Sequence, residues 1–357
     1  MAAAHSVKNA FELSPDKIMN RLLTVFLLLT CIVVNAQRSP FTGTTVIPPD
    51  SSGRYRLLFG AHFHGASSNR SGYPAATVLA SMDSLNGLSA NALFSAGDLF
   101  LDPASDIQRF ERSLFSKLIV PLFNAPGNHD IESPEYARRY GPTFGVVPMA
   151  ADRIIWLDTE RDNGSIVGEQ LDMLRSELAR FEGENLFIVA HRPLWAEGDS
   201  PYSELFEGNT RSLVPGNYNS DILPMLESLA KQARIFWISG SMAGLAPSSI
   251  FFQEHLPNLT YIQCAVRDVP RDAILMADVS PDTVIWKGIS LTGRNLLAVQ
   301  EYNVDWWSRS KPKKEPFNVR LVPLYIRQAL FSTVFWYGAA TALLAMLLLR
   351  CGLRRWL

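Results

Sequence analysis

Between residues 54 and 238 short apolar runs alternate with segments of helical periodicity, and that alternation narrows the fold more than any other feature of the chain. The runs 54–60, 92–96, 118–123, 153–157, 186–190 and 235–238 read as strands. Helical spacing fills 75–86, 106–118, 168–181 and 221–232. In 106–118, Ile107, Phe110, Leu114 and Leu118 share one face. Four more strand-like runs follow without helices between them, at 249–254, 259–266, 272–278 and 283–290. Alternating strand and helix followed by consecutive strands predicts an α/β core with an added antiparallel portion.

The strand-like runs end in unusual residues. "AHFHG" (61–65) follows the first, "GDLFLD" (97–102) the second, "FNAPGNHD" (123–130) closes the third, and "AHRP" (190–193) follows a later one. Asn, Asp and Gly are turn formers, so a single such end needs nothing more than a loop. A single histidine is equally well a satisfied core residue. Yet of the histidines beyond residue 36, which are His62, His64, His129, His191 and His255, all but the last fall at these junctions. In α/β sheets ligands bind beyond the carboxyl ends of the strands. Imidazole and hard oxygen donors gathered there suit two closely spaced divalent ions.

The series D-x-H, G-D, G-N-H-[DE], lone His and G-H-x-H marks the calcineurin-like metallophosphoesterase superfamily, and residues 54–267 resemble it. "YGPTFG" before "RIIWLDT", and "GEQLDMLRSEL" before "NLFIVAHRPLW", add to the likeness. The resemblance implies a four-layer α/β/β/α sandwich and a metal-dependent phosphate ester hydrolase. It implies His64, and His62 at the position of the family aspartate, as ligands of a first metal, with Asp98 as the bridging carboxylate. It implies Asn128 and His191 as ligands of a second metal. His129 matches the histidine that stabilises the transition state and protonates the leaving oxygen, with Asp130 fixing its tautomer.

Two motifs depart from the pattern. His62 stands where the family has aspartate, and "GSMA" (240–243) stands where it has G-H-x-H, so both histidines of that motif are missing. Three readings follow. One is a hydrolase with a reduced or single-metal site, since three protein ligands plus water suffice for a catalytic metal. The second is an inactive binding or scaffold protein using the inherited cleft. The third recruits a ligand from elsewhere, with His255 as the spare histidine. The donors do not discriminate between Mn, Fe and Zn, and one ion or two remain open.

The ends of the chain place it at a membrane. "MNRLLTVFLLLTCIVVNA" (19–36) reads as a secretory signal peptide. "ALFSTVFWYGAATALLAMLLL" (329–349) carries no charge and is long enough to span about 30 Å of hydrocarbon. The expected organisation is a signal region at 1–36, a phosphoesterase-like domain at 37–303, a polar linker at 304–328, a transmembrane helix at 329–349 and a basic cytoplasmic tail at 350–357. The main domain is then extracytoplasmic. Between the signal region and the span only Cys264 remains, which leaves no intramolecular disulfide there. A net charge of −1 carries no basic excess for nucleic acid. The expected partners are a phosphate ester and the membrane. In 195–220, Trp195, Tyr202, Phe206 and Tyr218 read either as stacking groups over a substrate or as buried aromatics, and Arg211 as a phosphate contact.

Overall fold

In the computed structural model, which describes residues 37–200, 202–210, 213–310 and 322–353, the apolar runs become buried strands. β1 (Tyr55–Gly60), β2 (Ala92–Ser95) and β3 (Leu122–Asn124) run parallel, with Phe59 beside Phe94 and Phe94 beside Phe123. β4 (Gly145–Met149) pairs antiparallel with β5 (Asp152–Leu157). β6 (Asn185–Ala190) and β7 (Arg234–Ser239) continue that second sheet in parallel. The four late strands do not form a separate portion. β8 (Ile250–Leu256) and β9 (Leu259–Cys264) complete the second sheet, while β10 (Ala273–Val279) and β11 (Val284–Ser290) complete the first. The strand orders are β11-β10-β1-β2-β3 and β4-β5-β6-β7-β9-β8.

Period-two alternation along these strands divides their side chains between two faces. Leu57, Phe59, Phe94 and Phe123 from one sheet meet Ile154, Phe187, Val189 and Phe236 from the other. Phe59 stacks on Phe187 across the interface, with ring centroids 5.8 Å apart. On the outer face of the first sheet, Leu58, Leu93 and Leu122 pack with Val78, Leu85, Phe110 and Leu114 from its helices. On the outer face of the second, Ile155, Ile188 and Trp237 pack with Leu171, Leu174 and Leu226. The result is the four-layer α/β/β/α sandwich. Each buried Phe or Leu in it contributes about 1.5–3 kcal/mol.

Several elements differ from expectation. The helix expected at 75–86 breaks into Ala76–Ala80 and Met82–Gly87. Between them Ser81 Oγ donates to Leu291 O at 3.1 Å, a tertiary bond that sequence periodicity does not encode. β4 was not anticipated. The linker expected from residue 304 begins with a packed helix, Val304–Arg309. There Asn303 caps the amide of Trp306, and Trp307 lies against Phe206 and Phe251 with its indole donating to Ile250 O at 3.0 Å. Toward the C-terminus, Thr333–Leu353 is one helix. Its 18-residue stretch Thr333–Arg350 is long and apolar enough to cross a membrane and is not buried. Ala329 and Leu330 belong to the preceding helix, Val322–Leu330. The signal-peptide segment and Arg211 lie outside the described residues.

Candidate metal centre

The carboxyl ends of β1, β2, β3, β6 and β7 open on one cleft of ≈ 620 Å³. His62, Asp98, Asn128, His129, His191, Ser241, Met242, Ala243 and Arg267 line it. Two residues at the strand ends hold left-handed backbone, His62 at φ 55° and Asp98 at φ 56°. Such conformations are uncommon outside glycine and gather at functional sites. The glycines of "GD" and "GNHD" are required by close approach. A Cβ on Gly97, at φ +95°, would lie 2.4 Å from His191 Nδ1, and one on Gly127 would lie 2.1 Å from Asp98 Oδ1.

Three imidazoles face one carboxylate. His62 Nδ1, His64 Nε2 and His191 Nε2 stand 3.3, 3.8 and 3.7 Å from Asp98 Oδ2, all deeply buried. The amide of His129 donates to Asp98 Oδ1 at 3.2 Å. His191 Nδ1 donates to Ala96 O at 2.9 Å, which leaves the Nε2 lone pair directed at the cleft, as a metal ligand requires. Burial lowers the pKa of both His62 and His64. For His62 the Arg267 guanidinium lowers it further. Both are therefore neutral near pH 7, the form that binds metal. Burial works to raise the Asp98 carboxyl, but the imidazoles around it prevail and hold it well below the usual carboxylate range. The ligand atoms of His62, His64 and Asp98 lie within 4.8 Å of one another, and this donor set fits a divalent cation.

The turn after β7 brings few metal donors to the cleft. Ser241 Oγ is hydrogen-bonded to Thr210 Oγ1 at 2.6 Å, and Ala243 offers no donor. Arg267, which carries no family signal in the sequence, extends into this region. It follows the carboxyl end of β9, the strand beside β7, and its Nη2 donates to Met242 O and lies 3.3 Å from His62 Nε2. Burial brings its pKa down to about 10, so it remains a cation.

Asp130 does not orient His129. Its carboxylate accepts from the amides of Phe100 and Gly127 and from Asn124 Nδ2, at 2.9–3.0 Å, and so holds the turn together. Burial and the nearby Asp98 charge push its pKa up to about 6. The carboxylate near His129 Nδ1 is Glu132, with Oε1 at 3.5 Å. The aromatics Trp195, Tyr202, Phe206 and Tyr218 do not reach the cleft. All four are core residues, with Trp195 stacked on Tyr261 at 4.7 Å. His255 is no substitute ligand. On β8 it lies near the pairing of Leu256 with Leu259, and Leu259 pairs with Ile235 at the start of β7, the end away from the cleft. There it stacks on Tyr261 and bonds the Tyr202 hydroxyl.

No family model and no curated protein matches the sequence. Solved structures do match. A purple acid phosphatase from yellow lupin aligns with TM-score 0.50 at 10% identity, over 71% of this chain and 54% of its own. A dimetal phosphatase from Danio rerio aligns with TM-score 0.46 at 14% identity, over 66% and 96%. The GAP50 anchor of the Plasmodium inner membrane complex aligns with TM-score 0.47 at 11% identity, over 76% and 94%. The chain has the calcineurin-like metallophosphoesterase fold. Within that fold it carries an altered centre: the G-D and G-N-H-D turns are retained, and the G-H-x-H turn is replaced by "GSMA".

Proposed function

We propose that this chain is a membrane-anchored, extracytoplasmic phosphoesterase that works with one divalent ion. The reading is carried by the three imidazoles that converge on Asp98 at the base of the cleft. His64, His191, Asp98 and Asn128 are the residues that would hold the ion, with His62 beside them. The ion, when bound, would supply Lewis acidity, lowering the pKa of a water and screening phosphoryl oxygens. The chain's own groups do the rest. Asp98 stays ionised at the floor. His191, fixed through Ala96 O, keeps its Nε2 lone pair toward the cleft. His129, at the mouth and backed by Glu132, would give a proton to the leaving oxygen. The missing second ligand set leaves fewer contacts to the attacking and leaving oxygens, which implies slow turnover.

The loss of both "GSMA" histidines supports the alternative of an inactive binding protein on the same anchor. One experiment separates the two. The full chain, purified in detergent from Mn-, Fe- or Zn-supplemented cells, should contain about one metal per chain and hydrolyse an aryl phosphate or diester. Asp98→Asn and His64→Ala should each lower both readouts at least tenfold, in line with disruption of a ligand set. Absence of metal and of hydrolysis in a folded parent leaves the binding-protein reading.

A further inference from the structure

A cation with no direct carboxylate partner among the described residues lines the floor of the cleft. Arg267 is only 8% exposed. Its Nη1 donates to Ser67 Oγ at 3.3 Å, its Nη2 donates to Met242 O, and its Nε is buried with no acceptor among the described residues. A charge so far from water is costly unless paired and fully hydrogen-bonded. Its third contact is His62 Nε2, at 3.3 Å. A guanidinium has no lone pair to offer, so His62 Nε2 is the acceptor. The neutral ring then carries its proton on Nδ1, which faces Asp98 Oδ2 at 3.3 Å. Arg267 feels the Asp98 charge across the cleft and makes hydrogen-bonded contact with it through this ring.

Arg70 also lines the cleft, bonded to the Ser67 carbonyl. Arg192, by contrast, is spent on a two-point pair with Glu160 at 2.8 and 2.6 Å. Two guanidinium groups joined through Ser67 therefore line the cleft. Planar arginine donors match the tetrahedral oxygens of phosphate better than any other side chain does.

We propose that Arg267 is a fixed cation of this cleft, which locks His62 as an Nδ1–H donor to Asp98 and receives the oxyanion of a phosphate group. His62 is thereby withdrawn from the metal ligands, leaving His64, Asp98, Asn128 and His191. The ligand class rests on the phosphoesterase reading, but anion binding through Arg267 does not need the metal.

The test is titration of the chelator-stripped full chain, in detergent, with inorganic phosphate by calorimetry at constant ionic strength. Saturable binding is expected, at least tenfold weaker in Arg267→Met. If that variant fails to fold, Arg267→Lys replaces it. A lysine has three donors on one nitrogen where the guanidinium has five spread over three, too few for Ser67 Oγ, Met242 O, His62 and an anion together, so at least a threefold loss is expected. No phosphate binding by the stripped parent overturns the proposal, as does unchanged affinity in the folded variant. Metal uptake and ester hydrolysis without phosphate binding by the stripped chain would sink Arg267 and leave the phosphoesterase standing. Phosphate binding that depends on Arg267, with neither metal nor hydrolysis, would do the reverse.

Discussion

Asp272 holds Arg267 in place and has no exposure to water. Its carboxyl accepts from the amides of Arg267 and Val269 and from Thr77 Oγ1, at 2.8–3.2 Å. Burial pushes its pKa up to about 7, helped by the Asp268 charge and opposed by Arg271. The folded value lies above the unfolded one of about 3.9, so between them the native state binds more protons. The neutral form's contribution to stability is complete below about pH 4 and is lost as pH rises to about 7. Urea unfolding across that range should show this falling component, and Asp272→Asn should flatten it. An unchanged slope in the variant would refute the assignment. At this scale the residues that gather at the cleft were legible because His, Asp and Asn recur at strand ends. Arg267 was not, because a single arginine just past a strand looks like surface. Asp130 was misread because "GNHD" does not tell which donors its carboxylate meets.

A buried hydrogen bond at the edge of their shared core links the two sheets. Tyr55 Oη, on β1, donates to Asp152 Oδ2, on β5, at 2.6 Å. The same carboxylate accepts from Asn185 Nδ2 and from the amides of Glu184 and Asn185, at the start of β6. Tyr55→Phe keeps the ring and removes only the hydroxyl. It should cost about 1.5–3 kcal/mol, the range for a bond to a charged group. A lower denaturant midpoint with unchanged m-value would show it, and an unshifted midpoint would contradict it. Element type followed from periodicity wherever a run was both long and apolar, as in 168–181. It failed where pairing decides. β4 carries a proline and becomes a strand because β5 offers it an edge. The helix at 304–309 forms on a surface that Phe206 and Phe251 create.

For the whole molecule, the apolar helix Thr333–Leu353 and the signal-like segment 19–36 lead to a concrete expectation. Protease added to intact cells or spheroplasts should cut within residues 37–328 and spare the tail, and a protected domain would refute that orientation. The class of fold and the outline of the cleft were readable from the chain alone. Alternation of apolar runs sets the strands and helices, and β–α order places their carboxyl ends together, so histidines 60 to 130 residues apart point to one site. Which strands joined which sheet was not readable, because β8 to β11 are four similar apolar runs and only packing against the two faces sorts them. The same holds for the charge balance of the cleft. The identity of His62 is written in the sequence. Its role depends on a guanidinium more than two hundred residues away, and only the folded chain brings the two to 3.3 Å.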